Sequence, residues 1–194
     1  MAKLSILRGL LFTLLVATVV TAESAADNVT YDFRNFLRQG QEIWVRNTSE
    51  PGNITCRRDT ISNVHNQSVS FQRHFKNNSE SFNISLKGEL FNWEHWDNHS
   101  ATPYNSMAVS GTKGTHKILD TDEILEVLDA RNECAVVKVI VVDPSKEEKP
   151  TVWRELRVVA TALNKTLSQD CWNYFNGTVQ NASRPSYSPS CERI

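Results

Sequence analysis

Four cysteines, Cys56, Cys134, Cys171 and Cys191, follow an amino-terminal secretion signal, and this combination limits what the chain can fold into. Lys3 and Arg8 form a positive n-region, and Leu10 to Val20 is an apolar run. Val20-Thr21-Ala22 supplies the small residues of a cleavage site, so the mature chain is expected to start at Glu23. The run is too short to span a bilayer comfortably, and no second one follows. The chain ends Ser-Cys-Glu-Arg-Ile, so no lipid anchor is expected. An even number of cysteines in an oxidising compartment predicts two disulfides. No two cysteines are close enough in sequence for a zinc ribbon, and no metal is expected. Four cysteines allow three connectivities, and counting does not choose among them.

Residues 1–22 thus read as signal peptide and residues 23–194 as a single domain, long enough for a real core. The formal net charge is −1, and loss of Lys3 and Arg8 makes it two units more negative, which gives no basis for a nucleic-acid partner. Sequons occur at Asn28, Asn47, Asn53, Asn66, Asn77, Asn83, Asn98, Asn164, Asn176 and Asn181, ten of the 17 asparagines. Random placement would give roughly three, so the expectation is a heavily glycosylated surface.

Hydropathy patterning places strands in the middle of the chain. Tyr31 to Arg38 carries Phe33, Phe36 and Leu37 at helical spacing and stops at Gly40. Gln41 to Asn47 is β-rich, Ser49 to Gly52 is a turn, and the next strand starts near Thr55-Cys56. Val69, Phe71 and Phe75 alternate with polar residues, as do Phe82, Ile84 and Leu86, and Asn77 to Ser79 joins them as a hairpin. Residues 92 to 116 read as irregular, with Trp93 and Trp96 at an open rim or in the core. Three further strand-like runs cover 123–128, 134–142 and 152–160. Leu167 to Val179 reads as a helix presenting Trp172, Phe175 and Val179, and an aperiodic tail follows.

Short strands in series with helices at both ends predict an antiparallel meander, closed into a barrel if eight strands are present. The chain resembles the salivary lipocalins of ticks, which include histamine-binding and leukotriene-binding proteins. The resemblance rests on Gln-Glu-Ile-Trp-Val-Arg-Asn-Thr-Ser (41–49), Thr55-Cys56, Glu133-Cys134-Ala135-Val136-Val137, Trp153-Arg154-Glu155-Leu156-Arg157-Val158, Asp170-Cys171 and Ser190-Cys191. It implies an all-β, eight-stranded antiparallel lipocalin-type barrel with a short amino-terminal helix and a carboxy-terminal helix packed on the wall. It also implies the pairings Cys56–Cys191 and Cys134–Cys171. The function it implies is sequestration of a small host mediator, blunting inflammation or haemostasis. That mediator is a biogenic amine or, slightly favoured, a carboxylate lipid such as a leukotriene or fatty acid. The alternative is a lipocalin scaffold that inhibits a host defence protein through its surface.

The candidate ligand-binding residues are Trp44, Trp153, Glu155 and Arg157. Amine-binding members of the family tend to show Cys-Asp-aliphatic and then Glu-Leu-aromatic. Here the same places read Cys134-Ala135-Val136 and Glu155-Leu156-Arg157, so one acid is missing and a cation replaces an aromatic. Alternation puts Trp153, Glu155, Arg157 and Val159 on one strand face. If that face is internal, Arg157 is free to meet a ligand carboxylate; otherwise Glu155 and Arg157 neutralise each other or face water.

Neither His-Glu-x-x-His nor Gly-x-Ser-x-Gly occurs, and Gly111 to Gly114 lacks the spacing of a phosphate loop. His95 and His99, with Glu94 and Asp97 nearby, lie in a loop beside the Asn98 sequon and do not read as metal ligands. The expectation is a secreted, monomeric binding protein, with no enzymatic activity, no cofactor, no metal and no membrane partner.

Overall fold

A computed structural model describes residues 31–113, 116–117, 120–142 and 150–193. The signal segment, the Asn28 sequon and Gly114 lie outside the described residues. Helix α1 (Phe33–Phe36) precedes β1 (Glu42–Thr48), β2 (Ile54–His65), β3 (Ser68–Asn77), β4 (Glu80–Phe91) and β5 (Ser106–Lys113). Then follow β6 (His116–Lys117), β7 (Asp120–Leu128), β8 (Cys134–Val142), β9 (Thr151–Val159), α2 (Gln169–Val179) and β10 (Arg184–Pro185).

Eight strands pair antiparallel in chain order, β1 to β5 and then β7 to β9, and β9 pairs back with β1 to close the barrel. β6 extends only the β5 edge, and β10 adds the tail to β1. The strand β5 corrects the sequence reading of 92–116 as wholly irregular. Its run Ser-Met-Ala-Val-Ser-Gly alternates, but with side chains too small to show a clear amphipathic period.

Alternation sorts side chains to the two faces of the wall. Ile43, Ile61, Val69, Leu90, Met107 and Leu125 form an apolar layer inside, joined by Phe33 and Phe36 of α1 and by Leu37 just after it. That short helix therefore seals one end. Asp32 caps it, accepting from the Arg34 backbone N–H at 2.9 Å and from the Tyr104 N–H at 3.2 Å. Gly88 lies in this layer because nothing larger fits: a Cβ there would come within 2.3 Å of Met107 Sδ and 2.8 Å of Val69 Cγ1.

Helix α2 lies on the outer wall. Ser168 caps it, and its buried residues are Cys171, Phe175 and Val179, spaced four apart. Trp172, expected on that face, is instead 37% exposed. Cys134 bonds Cys171, which pins the helix to β8. Cys56 bonds Cys191 at the other end of the chain. Cys56 sits in a β-bulge with φ 52°, which takes it out of the β3 ladder. Its N–H donates instead to the Ser186 carbonyl at 2.7 Å. The tail is held further by Arg184, whose Nη1 donates to the Ile54 carbonyl at 2.7 Å. Of the described sequons, Asn53, Asn66, Asn77, Asn83, Asn98, Asn164, Asn176 and Asn181 are exposed, whereas Asn47 is half-buried against Ser183.

Gly88→Ala is expected to lower stability by about 1–3 kcal/mol, because the inner layer is already filled. The measurement is the urea midpoint; an unchanged midpoint would show that Met107 moves aside freely.

Candidate functional site

Above the apolar layer the barrel interior turns ionic. On β9 the Trp153, Glu155, Arg157 face points inward, and the facing strands contribute Arg57, Asp59, Arg73 and Glu123. Glu155 is fully buried. Its Oε1 accepts from Arg57 Nη1 and, at 3.1 Å, from Trp153 Nε1. Its Oε2 accepts from Arg157 Nε at 2.9 Å and Arg157 Nη2 at 2.7 Å. Arg157 Nη1 reaches Glu123 Oε2 at 2.5 Å. Arg73 Nη2 donates to Glu123 Oε1 at 3.0 Å and to Asp59 Oδ2 at 2.7 Å, while its Nε donates to Asp59 Oδ1 at 2.8 Å. At the far end Arg57 Nη2 donates to Glu50 Oε1 at 2.8 Å. One chain of ion pairs thus crosses the interior: Glu50, Arg57, Glu155, Arg157, Glu123, Arg73, Asp59.

The electrostatics follow from this order. Burial works against the charged form of Glu155, but Arg57, Arg157 and Arg73 outweigh it and hold the carboxyl far below the ordinary range. Glu123 behaves alike: burial raises it, and Arg157 and Arg73 bring it below its usual value. Burial opposes the Arg157 charge, and Glu123 and Glu155 keep it more firmly protonated than usual. Every nitrogen of Arg157 therefore already serves a protein carboxylate. Ala135, where the resemblance leads one to look for an acid, is the cross-strand partner of Arg157, and its methyl leaves room for the guanidinium.

The structure brings together three of the four sequence-derived candidates: Trp153, Glu155 and Arg157. Trp44 stands apart, and this corrects its place in that set. It pairs with Arg58 and Val158 on the outward phase of β1, its ring 5.3 Å from that of Tyr187 beneath the tail. Arg57, Asp59, Arg73 and Glu123 escaped the sequence reading, because charged residues on a strand normally mark its wet face. The phase of Phe71, Arg73 and Phe75 was the available signal. Asp129, Cys134 and Cys171 cluster closely, but both thiols are in the disulfide and no ligand set remains there.

Glu155→Gln is expected to cost about 3–5 kcal/mol, since it strands two buried guanidiniums. Glu155→Gln with Arg157→Met should cost less than the sum of the single changes, as read in a double-mutant cycle of urea midpoints. Acid should act through the same carboxylates. Unfolded, they titrate near the ordinary glutamate value of about 4.3. Folded, both lie lower, so their contribution is complete above that pH and is lost as pH falls toward the native values. Stability should decline below about pH 5 and do so less steeply in Glu155→Gln. Equal slopes for the two proteins would exclude Glu155 as a source.

No protein-family model and no curated protein sequence matches the chain. Solved structures do. A structure of AM182 in complex with serotonin matches with a TM-score of 0.57 at 16% identity, over 84% of this chain and 93% of that one. Japanin from Rhipicephalus appendiculatus bound to cholesterol matches with a TM-score of 0.50 at 11% identity, over 79% of this chain and 96% of that one. The likeness is one of fold, and the fold is an eight-stranded lipocalin-type barrel with its carboxy-terminal helix packed on the wall.

Proposed function

We propose that the protein is a secreted lipocalin of the tick salivary type, which captures a small host mediator within the barrel and so blunts inflammation or haemostasis. Cleavage before Glu23, carbohydrate on the sequons and a monomeric state belong to the same reading.

The buried ion network carries it. An apolar layer of equal volume would serve stability as well or better, so stability alone does not account for seven charged side chains across a barrel. Inside the barrel the network also leaves the buried donor Arg57 Nε with no hydrogen-bond partner among the described residues. A ligand acceptor seated beside it would satisfy that donor.

Charge selects the head group. Each of the three interior guanidiniums is bound by two carboxylates, and Arg184, 4.0 Å from Glu50 at the outer end, brings the network to four acids and four guanidiniums. A ligand carboxylate, slightly favoured on sequence grounds, would meet guanidiniums that each already hold two protein carboxylates. An ammonium would meet the Glu123 and Asp59 oxygens, each of which accepts a single arginine hydrogen bond and has a lone pair left. The ligand is therefore an amine in preference to a leukotriene or fatty acid, with an acceptor atom elsewhere for Arg57. The serotonin of the AM182 complex has that chemistry; the cholesterol of Japanin supplies only the acceptor.

Titration calorimetry against histamine, serotonin, a leukotriene and arachidonate tests this. An amine should bind at one site per barrel and arachidonate should not. Binding of the lipid acids alone would reverse the head-group assignment. Silence across the whole panel would move the weight to surface inhibition of a host defence protein.

A further inference from the structure

A second feature lies outside the barrel, at its sealed end. Glu89, Ala108 and Asp122 are cross-strand neighbours on the outer face of β4, β5 and β7. Two strand spacings separate the carboxylate-bearing residues by about 10 Å, and only the methyl of Ala108 stands between them. The 92–105 segment folds over this hollow and makes a groove of ≈ 920 Å³, completed by Phe91, Trp93, Glu94 and Trp96.

The groove is held in shape. Asn92 Oδ1 accepts from the backbone N–H groups of Glu94 and His95 at 2.9 and 3.2 Å, and Asn92 Nδ2 donates to the Pro103 carbonyl at 3.0 Å. The Trp93 N–H donates to Asn105 Oδ1 at 2.8 Å. Yet the same segment keeps Trp96 71% and Trp93 41% exposed. A loop this well bonded that leaves two indoles in water presents them for contact.

The polar lining is of one sign. Glu89 pairs at its exposed end with Lys87 at 3.2 Å. Asp122 has no ion-pair partner among the described residues, and partial burial together with the nearby Asp120 raises its carboxyl above the usual value. Glu94 and His99 are the other titratable groups on the lining, and no Lys or Arg lines it. Carboxylates beside indole faces suit a cation with an apolar body, since each π-face attracts the charge and the acids neutralise it. The volume falls in the range of small-molecule sites.

We propose that this outer groove is a ligand site for a small organic cation with an aryl or alkyl body, separate from the barrel interior. The Trp93 and Trp96 rings hold the body, and Asp122, Glu94 and Glu89 hold the charge.

Indole N–H signals in nitrogen-15 NMR spectra test it residue by residue, with Trp93→Phe and Trp96→Phe assigning the signals. Phenethylammonium should shift the Trp93 and Trp96 signals saturably, and 2-phenylethanol, its neutral counterpart, should not. Asp122→Asn and Glu94→Gln should each weaken that response by roughly tenfold, the size of one partly exposed charge contact. Trp153, bonded to Glu155, reports the interior in the same spectra, so failure at one site is distinguishable from failure at the other. Static Trp93 and Trp96 signals, or equal responses to the amine and the alcohol, would overturn the proposal. Tighter binding of an arginine-containing peptide than of phenethylammonium would overturn its small-ligand part.

Discussion

Glu155 is closed off from water with a full charge, and three side chains on two strands supply its donors: Arg57, Trp153 and Arg157. Such a group tolerates no alternative register. A slip of one residue along β9 would turn Glu155 and Arg157 out onto the wall and bring Leu156 and Val158 inside. It would also separate Val158 from Cys134, its present cross-strand partner, and so misplace the disulfide that carries α2. The closure of β9 on β1 depends on the same register, because Val45 pairs with Arg157 and Thr48 with Glu155. The ionic layer is thus a weak source of net stability and a strong source of specificity.

The chain closes its barrel differently at the two ends. At one end α1 inserts Phe33 and Phe36 into an apolar layer so full that Gly88 has no room for a methyl. Toward the other end the charged layer replaces apolar packing, and Glu50 links it to the turn after β1. In the proposed capture, polar groups gathered at one level above a sealed floor would hold a ligand by orientation. In small-molecule sites of this kind apolar walls contribute most of the affinity, and a few polar atoms determine which ligand fits.

Much of this was legible in the sequence, and the rest was hidden for identifiable reasons. The even cysteine count predicted two bridges, and the alternation of Trp153, Glu155, Arg157 and Val159 correctly grouped three cluster members. The facing partners stayed hidden because an Arg or Asp on a strand reads as solvent-exposed, and only closure of the barrel brings Arg57 to Glu155 and Glu123 to Arg73. β5 was missed because Ala108, Ser110 and Gly111 blur its period. Trp44 misled for the opposite reason: a large aromatic on an early strand suggests an interior, whereas here it is the tail that buries the ring, from outside.

Ala108 and Asp122 are small or acidic residues flanked along their strands by Met107 and Glu123, and alternation sends each neighbour to the other side of the wall. One pair of strands therefore builds the charged interior and the floor of the outer groove from consecutive residues. The two faces share a backbone but not a single side chain, and the pairing of β5 and β7 with their own neighbours holds that backbone from both sides. The carboxylates of the groove are fixed by the ladder, and the charged groups of the interior are fixed by the ion network. The sequence separation of one residue between Asp122 and Glu123 becomes, through the pleat, a separation into two environments: one partly exposed and salt-screened, the other dry and governed by charge balance.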